Sequence, residues 1–288
     1  MFSEWIDGWV FGILEGFIKG CLKMVEAYFE KSTANVQSVL VETPSEFSGT
    51  LIITIKNISN LCILPIAGLL ITYLFCLELY RLVTEKNRGG DFDTGQLLFL
   101  IIKTSVMILL VTNAFDIALA FADLGKWITD QVPQEALKLP NSISENILGT
   151  LTKDNIGEAL LMAVFTAIAA IVAMIMNMIV YLVAWGRIIT IVIYIAVAPL
   201  PFATLLNHDW VGSIGQNYVK NLMALMLQGF FMIICLVVHG ALLEKVSAML
   251  VSEESAFFSL SLFLVSMAIL VVMLTRTHSL AKSVMGAS

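Results

Sequence analysis

A chain of 288 residues that is 59% hydrophobic and only 13% charged, with a mean hydropathy of +0.91, is not a soluble protein; soluble domains carry about 25% charged residues. Apolar runs of about 20 residues, long enough to cross a bilayer, recur along it, which predicts an all-α polytopic helical membrane protein. A formal net charge of −6 without a Lys/Arg cluster argues against a nucleic-acid-binding surface.

In chain order, residues 1–31 are expected to form an amphipathic helix rather than a span. Glu4, Gly8, Gly12, Glu15, Lys19, Lys23, Glu26 and Glu30 recur at steps of three or four, opposite Trp5, Trp9, Ile13, Phe17 and Leu22. Such a helix suits the headgroup boundary, a partner groove or packing on the rest of the protein. Glu4 and Asp7 stand where a signal peptide would be basic, so the spans are expected to direct insertion. Residues 32–50, with TPSEFSG, read as a polar linker. The first span is expected at about 58–80, with Pro65 in its first half. The second is expected at 95–121, with Lys103 near one end, where it can snorkel to the headgroups, and Asp116 near the other. Between them Arg81, Lys86 and Arg88 crowd the loop 81–93, a bias that favours the cytoplasm and puts both termini and the long polar segment outside. That segment, 122–157, holds Pro133 and Pro140 and reads as a water-exposed loop with short helices.

A third span is expected at about 158–184, ended by Trp185-Gly186-Arg187 as an interface anchor beside a helix-ending glycine. The fourth runs to about 206, the fifth covers 218–242 and the sixth 256–275, although the third and fourth could be one long bent helix. The expected organisation is therefore an amphipathic helix and linker at 1–50, a transmembrane hairpin at 51–121, a polar extracytoplasmic loop at 122–157, and a four-helix transmembrane core at 158–288 whose fourth span is broken by proline.

No GxSxG, HExxH, GxxxxGK[ST] or GxGxxG in a strand-to-helix setting is present, and His208, His239 and His278 lack the paired spacing of a helical metal site. Neither catalytic, cofactor-binding nor metal residues are expected. Cys21, Cys62, Cys76 and Cys235 contain no CxxC and read as buried free thiols. The informative residues are the polar ones inside spans. Asn217, Asn221, Ala224, Gln228, Cys235 and His239 share one helix face, and lipid cannot satisfy amides, so that face must meet protein or water. It is either interhelical hydrogen-bond glue or a hydrated pathway. Ala159, Ala163, Thr166, Ala170, Ala173 and Asn177 form a parallel stripe of small residues that lets helices approach closely, in this subunit or a neighbouring one.

The stretch 195–210, IAVAPLPFATLLNHDW, carries the sharpest signal. Pro199 and Pro201 lack N–H groups, so the carbonyls of Ile195 and Val197 lose their usual partners. Bare carbonyls are costly in hydrocarbon, so this segment must be buried in protein or face water. Asn207, His208, Asp209 and Trp210 follow, then Gly212, Gly215 and the polar face beginning at Asn217. The pattern predicts a hinge, a tight return loop anchored by Trp210, and a partly wet helix.

The run APLPFATLLNHDWVGSIGQNYVKNLMALMLQGFFM (198–232) resembles the core of the TrbL/VirB-type polytopic inner-membrane subunit of type IV secretion (conjugation) systems. The resemblance rests on Ala198-Pro199-Leu200 closing a span, on Trp210 in the short loop, and on Asn217, Asn221 and Gln228 in the helix beyond it. Trp185-Gly186-Arg187 and the long loop between the second and third spans also fit, whereas the short C-terminal tail departs from many relatives. In size the chain is most similar to TrbL-like proteins of Gram-positive mobile elements. The resemblance implies a non-enzymatic, ring-like homo-oligomer in the bacterial cytoplasmic membrane, a channel or scaffold subunit surrounded by membrane lipid. It would work with other type IV secretion subunits including ATPases, and would meet nucleic acid only indirectly, as translocated substrate. Pro199 and Pro201, Trp210, Asn217, Asn221 and Gln228, with Asn177 and Arg187, are then structural, oligomer-face or pore-face residues. The competing reading is a secondary transporter or small ion channel, whose broken helices place ions at exposed backbone and in which Asp116, Lys103 or His239 could couple protons.

Overall fold

The computed structural model describes residues 2–87, 94–131, 156–207, 210–250 and 256–287. Those residues are helical with short turns. In order they form α1 (Phe2–Val41), α2 (Pro44–Phe47), α3 (Gly49–Ile58), a π-helical segment (Ser59–Ile63), α4 (Leu64–Asn87), α5 (Thr94–Thr112), α6 (Ala114–Asp130), α7 (Ile156–Val197), α8 (Pro199–Phe202), α9 (Trp210–Leu250) and α10 (Ala256–Met285). The chain is an all-α, multi-pass membrane protein. Arg88 and the rest of 88–93, residues 132–155 of the polar segment, and His208 and Asp209 lie outside the described residues.

Among the described residues, five helical stretches are long and apolar enough to cross a bilayer: Gly49–Thr84, Thr94–Thr112, Ala159–Val197, Val211–Lys245 and Ser261–Met285. The third and fourth expected spans fall on α7, which runs without interruption through Gly186. A glycine ends a helix by taking positive φ, and among the described residues the glycine that does so is Gly286. Gly186, between Trp185 and Arg187, keeps negative φ and simply continues the helix. At 1.5 Å per residue α7 is about 63 Å long, about twice the hydrocarbon thickness.

The chain divides into two compact units. The first comprises Met1–Val41, Thr129–Gly186 and Phe230–Thr277. Its core joins Ile18, Cys21, Leu22 and Val25 of α1 to Met162, Ala163, Ala169, Ala170 and Ala173 of α7, Leu243 of α9, and Phe263 and Met267 of α10. Most of the small-residue stripe of α7 is therefore occupied by helices of the same chain: alanines admit the branched and aromatic side chains of α1 and α10 close to the α7 backbone. Phe11, Ile18, Cys21, Leu22 and Val25 of α1 are buried, whereas Trp9, Ile13, Phe17 and Met24 are exposed. The helix turns Leu22 inward and the Trp9–Ile13–Phe17 line outward.

The second unit comprises Glu42–Ile128, Arg187–Gly229 and His278–Ser288. Thr43 caps α2 in a capping box: its Oγ1 accepts from the Glu46 N–H at 3.2 Å, and the Glu46 carboxylate accepts from the Thr43 N–H at 3.0 Å. Two of the otherwise unpaired amide groups at a helix start are thereby satisfied. The same carboxylate pairs with Lys126 of α6 at 2.5 Å, and Lys56 of α3 pairs with Asp116 at the start of α6 at 2.6 Å. Lys126 first, then the Thr43 amide, holds the Glu46 carboxyl below its ordinary pKa. A depressed acid contributes stability above its unfolded pKa and loses it as pH falls through the folded one. The stability difference between wild type and Lys126→Met, at most about 1 kcal/mol for so exposed a pair, should therefore be full at neutral pH and shrink as the pH falls below the ordinary glutamate range. Thermal unfolding at two pH values reads it.

Lys103 departs from the expected snorkelling position. Helix α5 ends at Thr112, with a turn at Asn113 before α6, so Lys103 stands near its middle. It donates to Glu78 of α4 at 2.5 Å, the two side chains being 11% and 22% exposed. An opposite charge on the neighbouring helix satisfies the ammonium without a climb to the surface. Removing one partner strands the other, at a cost of about 3–5 kcal/mol, whereas replacing both with apolar residues is far milder. Thermal unfolding of Lys103→Leu, Glu78→Leu and the double variant should show that coupling. All four cysteines are free, Cys21 and Cys235 buried but Cys62 and Cys76 exposed, since the π-helical segment turns Cys62, and α4 turns Cys76, away from the core.

Candidate functional site

The broken segment lies wholly within the second unit. Helix α7 stops at Val197, the prolines occupy the short helix α8, and a turn through Ala203–Leu206 leads towards α9. The backbone adapts by tightening. The Ala198 N–H bonds the Ile195 carbonyl at 3.2 Å, so the carbonyl that Pro199 cannot serve gains a partner. That shift withdraws the Ala198 donor from Tyr194, whose carbonyl would be its α-helical partner. The Tyr218 hydroxyl of α9 replaces it, donating to the Tyr194 carbonyl at 2.6 Å. Two residues further on, the Ser59 hydroxyl of the π-helical segment donates to the Ala196 carbonyl at 2.6 Å. Ser59 is 1% exposed. π-Helical turns inside α-helices frequently sit at functional sites, and here that turn carries the donor.

Tyr218 is held from both sides. Its ring stacks on Tyr194 at 5.7 Å and meets Phe202 edge-on at 5.9 Å, so one side chain bridges α7, α8 and α9 across the break. Further along, the Thr204 hydroxyl and amide both donate to the Pro201 carbonyl, at 2.8 and 3.0 Å. Helix α8 packs on α4, α5 and the π-helical segment. Helix α9 comes closest through Gly212 and Gly215. A Cβ on Gly212 would lie 1.8 Å from the Asn207 carbonyl oxygen, and one on Gly215 would lie 2.6 Å from the Pro201 oxygen and 2.8 Å from Leu205 Cα. Only glycine permits backbone to lie on backbone in this way.

Of the residues marked by the sequence, Pro199 is buried and Pro201 half-buried. Trp210 opens α9, and its side chain lies outside the described residues. Asn217 is half-buried, and its backbone carbonyl accepts from Asn221 Nδ2 at 2.9 Å. Asn221 and Gln228 are buried. Arg187 is only 5% exposed, with its Nε donating weakly to the Leu225 carbonyl at 3.4 Å, so it is an interior residue rather than an interface anchor. Trp185, 52% exposed, remains at the surface with Tyr181 edge-on at 6.3 Å. Asn177 is half-buried at the end of the alanine stripe, in the first unit. There the deeper end of the α9 polar face is interhelical: His239 Nε2 donates to the Ser266 carbonyl of α10 at 3.0 Å. Ser59 and Tyr218 were not marked by the sequence. Tyr218 follows Asn217 directly, but only the fold shows that its hydroxyl reaches Tyr194.

Residues 29–199, well over half of the chain, match the family described as TrbL/VirB6 plasmid conjugal transfer like protein. The chain belongs to the TrbL/VirB6 family. This makes it a subunit of conjugal transfer, or type IV secretion, machinery. The matched stretch takes in Trp185-Gly186-Arg187 and ends on Ala198-Pro199, so it covers α7 and the first proline, while Trp210 and the α9 amides lie beyond it. No curated protein and no solved structure matches the chain. In this TrbL/VirB6 family member no group of three or more His, Cys, Asp or Glu is placed to hold a metal among the described residues. Hydroxyl donors and glycine contacts close the broken helix.

Proposed function

We propose that this TrbL/VirB6 family member is a non-catalytic channel or scaffold subunit that assembles with copies of itself in the bacterial cytoplasmic membrane and supports passage of a conjugative DNA–protein substrate. Partner ATPases supply the energy, and other secretion subunits complete the path. Nucleic acid meets the assembly as cargo.

The observation that carries the self-assembly is the outer face of α1. Gly8, Gly12, Gly16 and Gly20 recur every fourth residue, and a Cβ built on any of them meets nothing within 4 Å. Each glycine inside a helix costs about 0.5–1 kcal/mol relative to alanine, a cost that close approach of another helix offsets. Beside that stripe stand Trp9 (64% exposed), Ile13 and Phe17. Among the described residues the glycines are therefore open and the aromatic residues uncovered, the arrangement a second helix would fill.

Mass photometry of the detergent-extracted protein tests this reading. A multimer is expected for wild type and a smaller species for Gly12→Leu with Gly16→Leu, accompanied by loss of conjugative transfer. A wild-type monomer that supports full transfer when it is the sole copy of the subunit would sink it.

A further inference from the structure

The buried guanidinium of Arg187 is incompletely served by this chain. It belongs to α7 and lies over Gly229 of α9, so closely that a Cβ there would fall 2.6 Å from Nη2. Its hydrogen bond to a described residue is the 3.4 Å contact with the Leu225 carbonyl, and no carboxylate among the described residues pairs with it. A guanidinium keeps its charge at neutral pH and has five N–H donors to place.

Two amides occupy the same stretch of α9. Asn221 is one helical turn before Leu225, and Gln228 is two turns after Asn221, on the same face. Asn221 Nδ2 donates to the Asn217 carbonyl at 2.9 Å, which leaves its Oδ1 buried without a partner. Gln228 is 5% exposed, with no hydrogen bond among the described residues. Gln228 is the midpoint of the span Val211–Lys245, so these groups stand at the depth of the hydrocarbon, where lipid offers neither donor nor acceptor.

Together they pose one chemical requirement. The guest must accept from a guanidinium, donate to an amide oxygen, and fit where almost no surface remains open. A bare anion cannot donate to Asn221 Oδ1, and lipid headgroups lie at the edge of the hydrocarbon. We infer that Arg187, Asn221 and Gln228 hold ordered water inside the span. Buried waters typically make about three hydrogen bonds to such groups, and water in contact with the guanidinium removes much of the cost of burying its charge. The inference stands whether or not the protein forms a ring.

Water-edited solid-state NMR of arginine-labelled protein in liposomes tests it on the intact wild-type chain, with the Arg187 signal assigned by its disappearance in Arg187→Lys. Magnetisation should pass from water to the Arg187 guanidinium within about a factor of two of the rate at exposed Arg81, as it does for groups touching water, and Asn221→Leu should slow that transfer at least about twofold. An Arg187 signal that builds up about tenfold more slowly than that of Arg81 means a dry site and overturns the inference. Transfer that Asn221→Leu leaves unchanged overturns it as well, because the water would then not be held by this amide.

Discussion

Gly212→Ala is expected to yield almost no folded protein. Its new methyl group would sit 1.8 Å from the carbonyl oxygen of Asn207, less than any pair of heavy atoms tolerates without a bond, and 2.8 Å from the carbonyl carbon. Both atoms are backbone, so no rotamer change relieves the clash. The start of α9 must lift away from the turn that follows α8, and the neighbouring Gly215 contacts with Pro201 and Leu205 separate with it. Overpacking of a side chain costs about 1–3 kcal/mol; a clash of backbone on backbone at the site that closes a broken helix should exceed about 3 kcal/mol. Gly68→Ala is the control, since a Cβ at Gly68 in α4 meets nothing within 4 Å and gains about 0.5–1 kcal/mol of helix propensity. Size-exclusion profiles and thermal unfolding of detergent-extracted protein should separate the two sharply. Comparable profiles would show that α9 does not lie against the turn.

The second large effect is expected from Ser59→Ala combined with Tyr218→Phe. These changes delete two hydroxyl donors and little else, because phenylalanine preserves the stacking on Tyr194 and the edge contact with Phe202. What remains is a helix end with the Tyr194 and Ala196 carbonyls bare. Each stranded buried group costs about 1–3 kcal/mol, so the pair should lose about 2–6 kcal/mol of stability if the two act separately. Thr72→Val is the comparison. The Thr72 hydroxyl donates at 3.0 Å to the Gly68 carbonyl of its own exposed helix turn, and its loss should change stability by less than about 0.5 kcal/mol. Thermal unfolding of the single and double variants gives the size of the effect, and conjugative transfer shows whether the closed break is needed for the subunit to work. A double variant as stable as wild type would mean that other donors serve these carbonyls.

The reach of the sequence shows most clearly at the prolines. That Pro199 and Pro201 would interrupt a helix follows from the missing N–H groups and a fixed φ, which are properties of the residue wherever it stands. That the interruption had to be sheltered follows from the inability of hydrocarbon to hydrogen-bond. Which groups provide the shelter was not legible. Ser59 precedes Ala196 by 137 positions, and neither an apolar period nor a short motif encodes so distant a pairing. Gly186 shows the opposite error. A glycine beside an interfacial tryptophan looks like a helix end, yet glycine only permits an end and does not require one, and α7 runs through it. Lys103 was misplaced for a related reason: where a span stops decides whether a lysine lies near its edge or its middle, and hydropathy alone ran the second span past Asn113. The α1 pattern shows an apolar face but not which part of it this chain covers, and only packing distinguishes the buried Ile18 side from the open Trp9 side.

The all-helical, membrane-crossing character of this TrbL/VirB6 family member, the position of its break and the presence of amides on α9 are set by local chemistry: apolar length, absent donors and helical periodicity act on neighbours in the chain. The pairing of Tyr218 with Tyr194, of Ser59 with Ala196, of Lys103 with Glu78 and of Arg187 with the Gly229 cradle arose only on folding. Each joins groups whose proximity depends on how helices cross, and helix crossing is settled by the packing of whole faces rather than by any short stretch of residues.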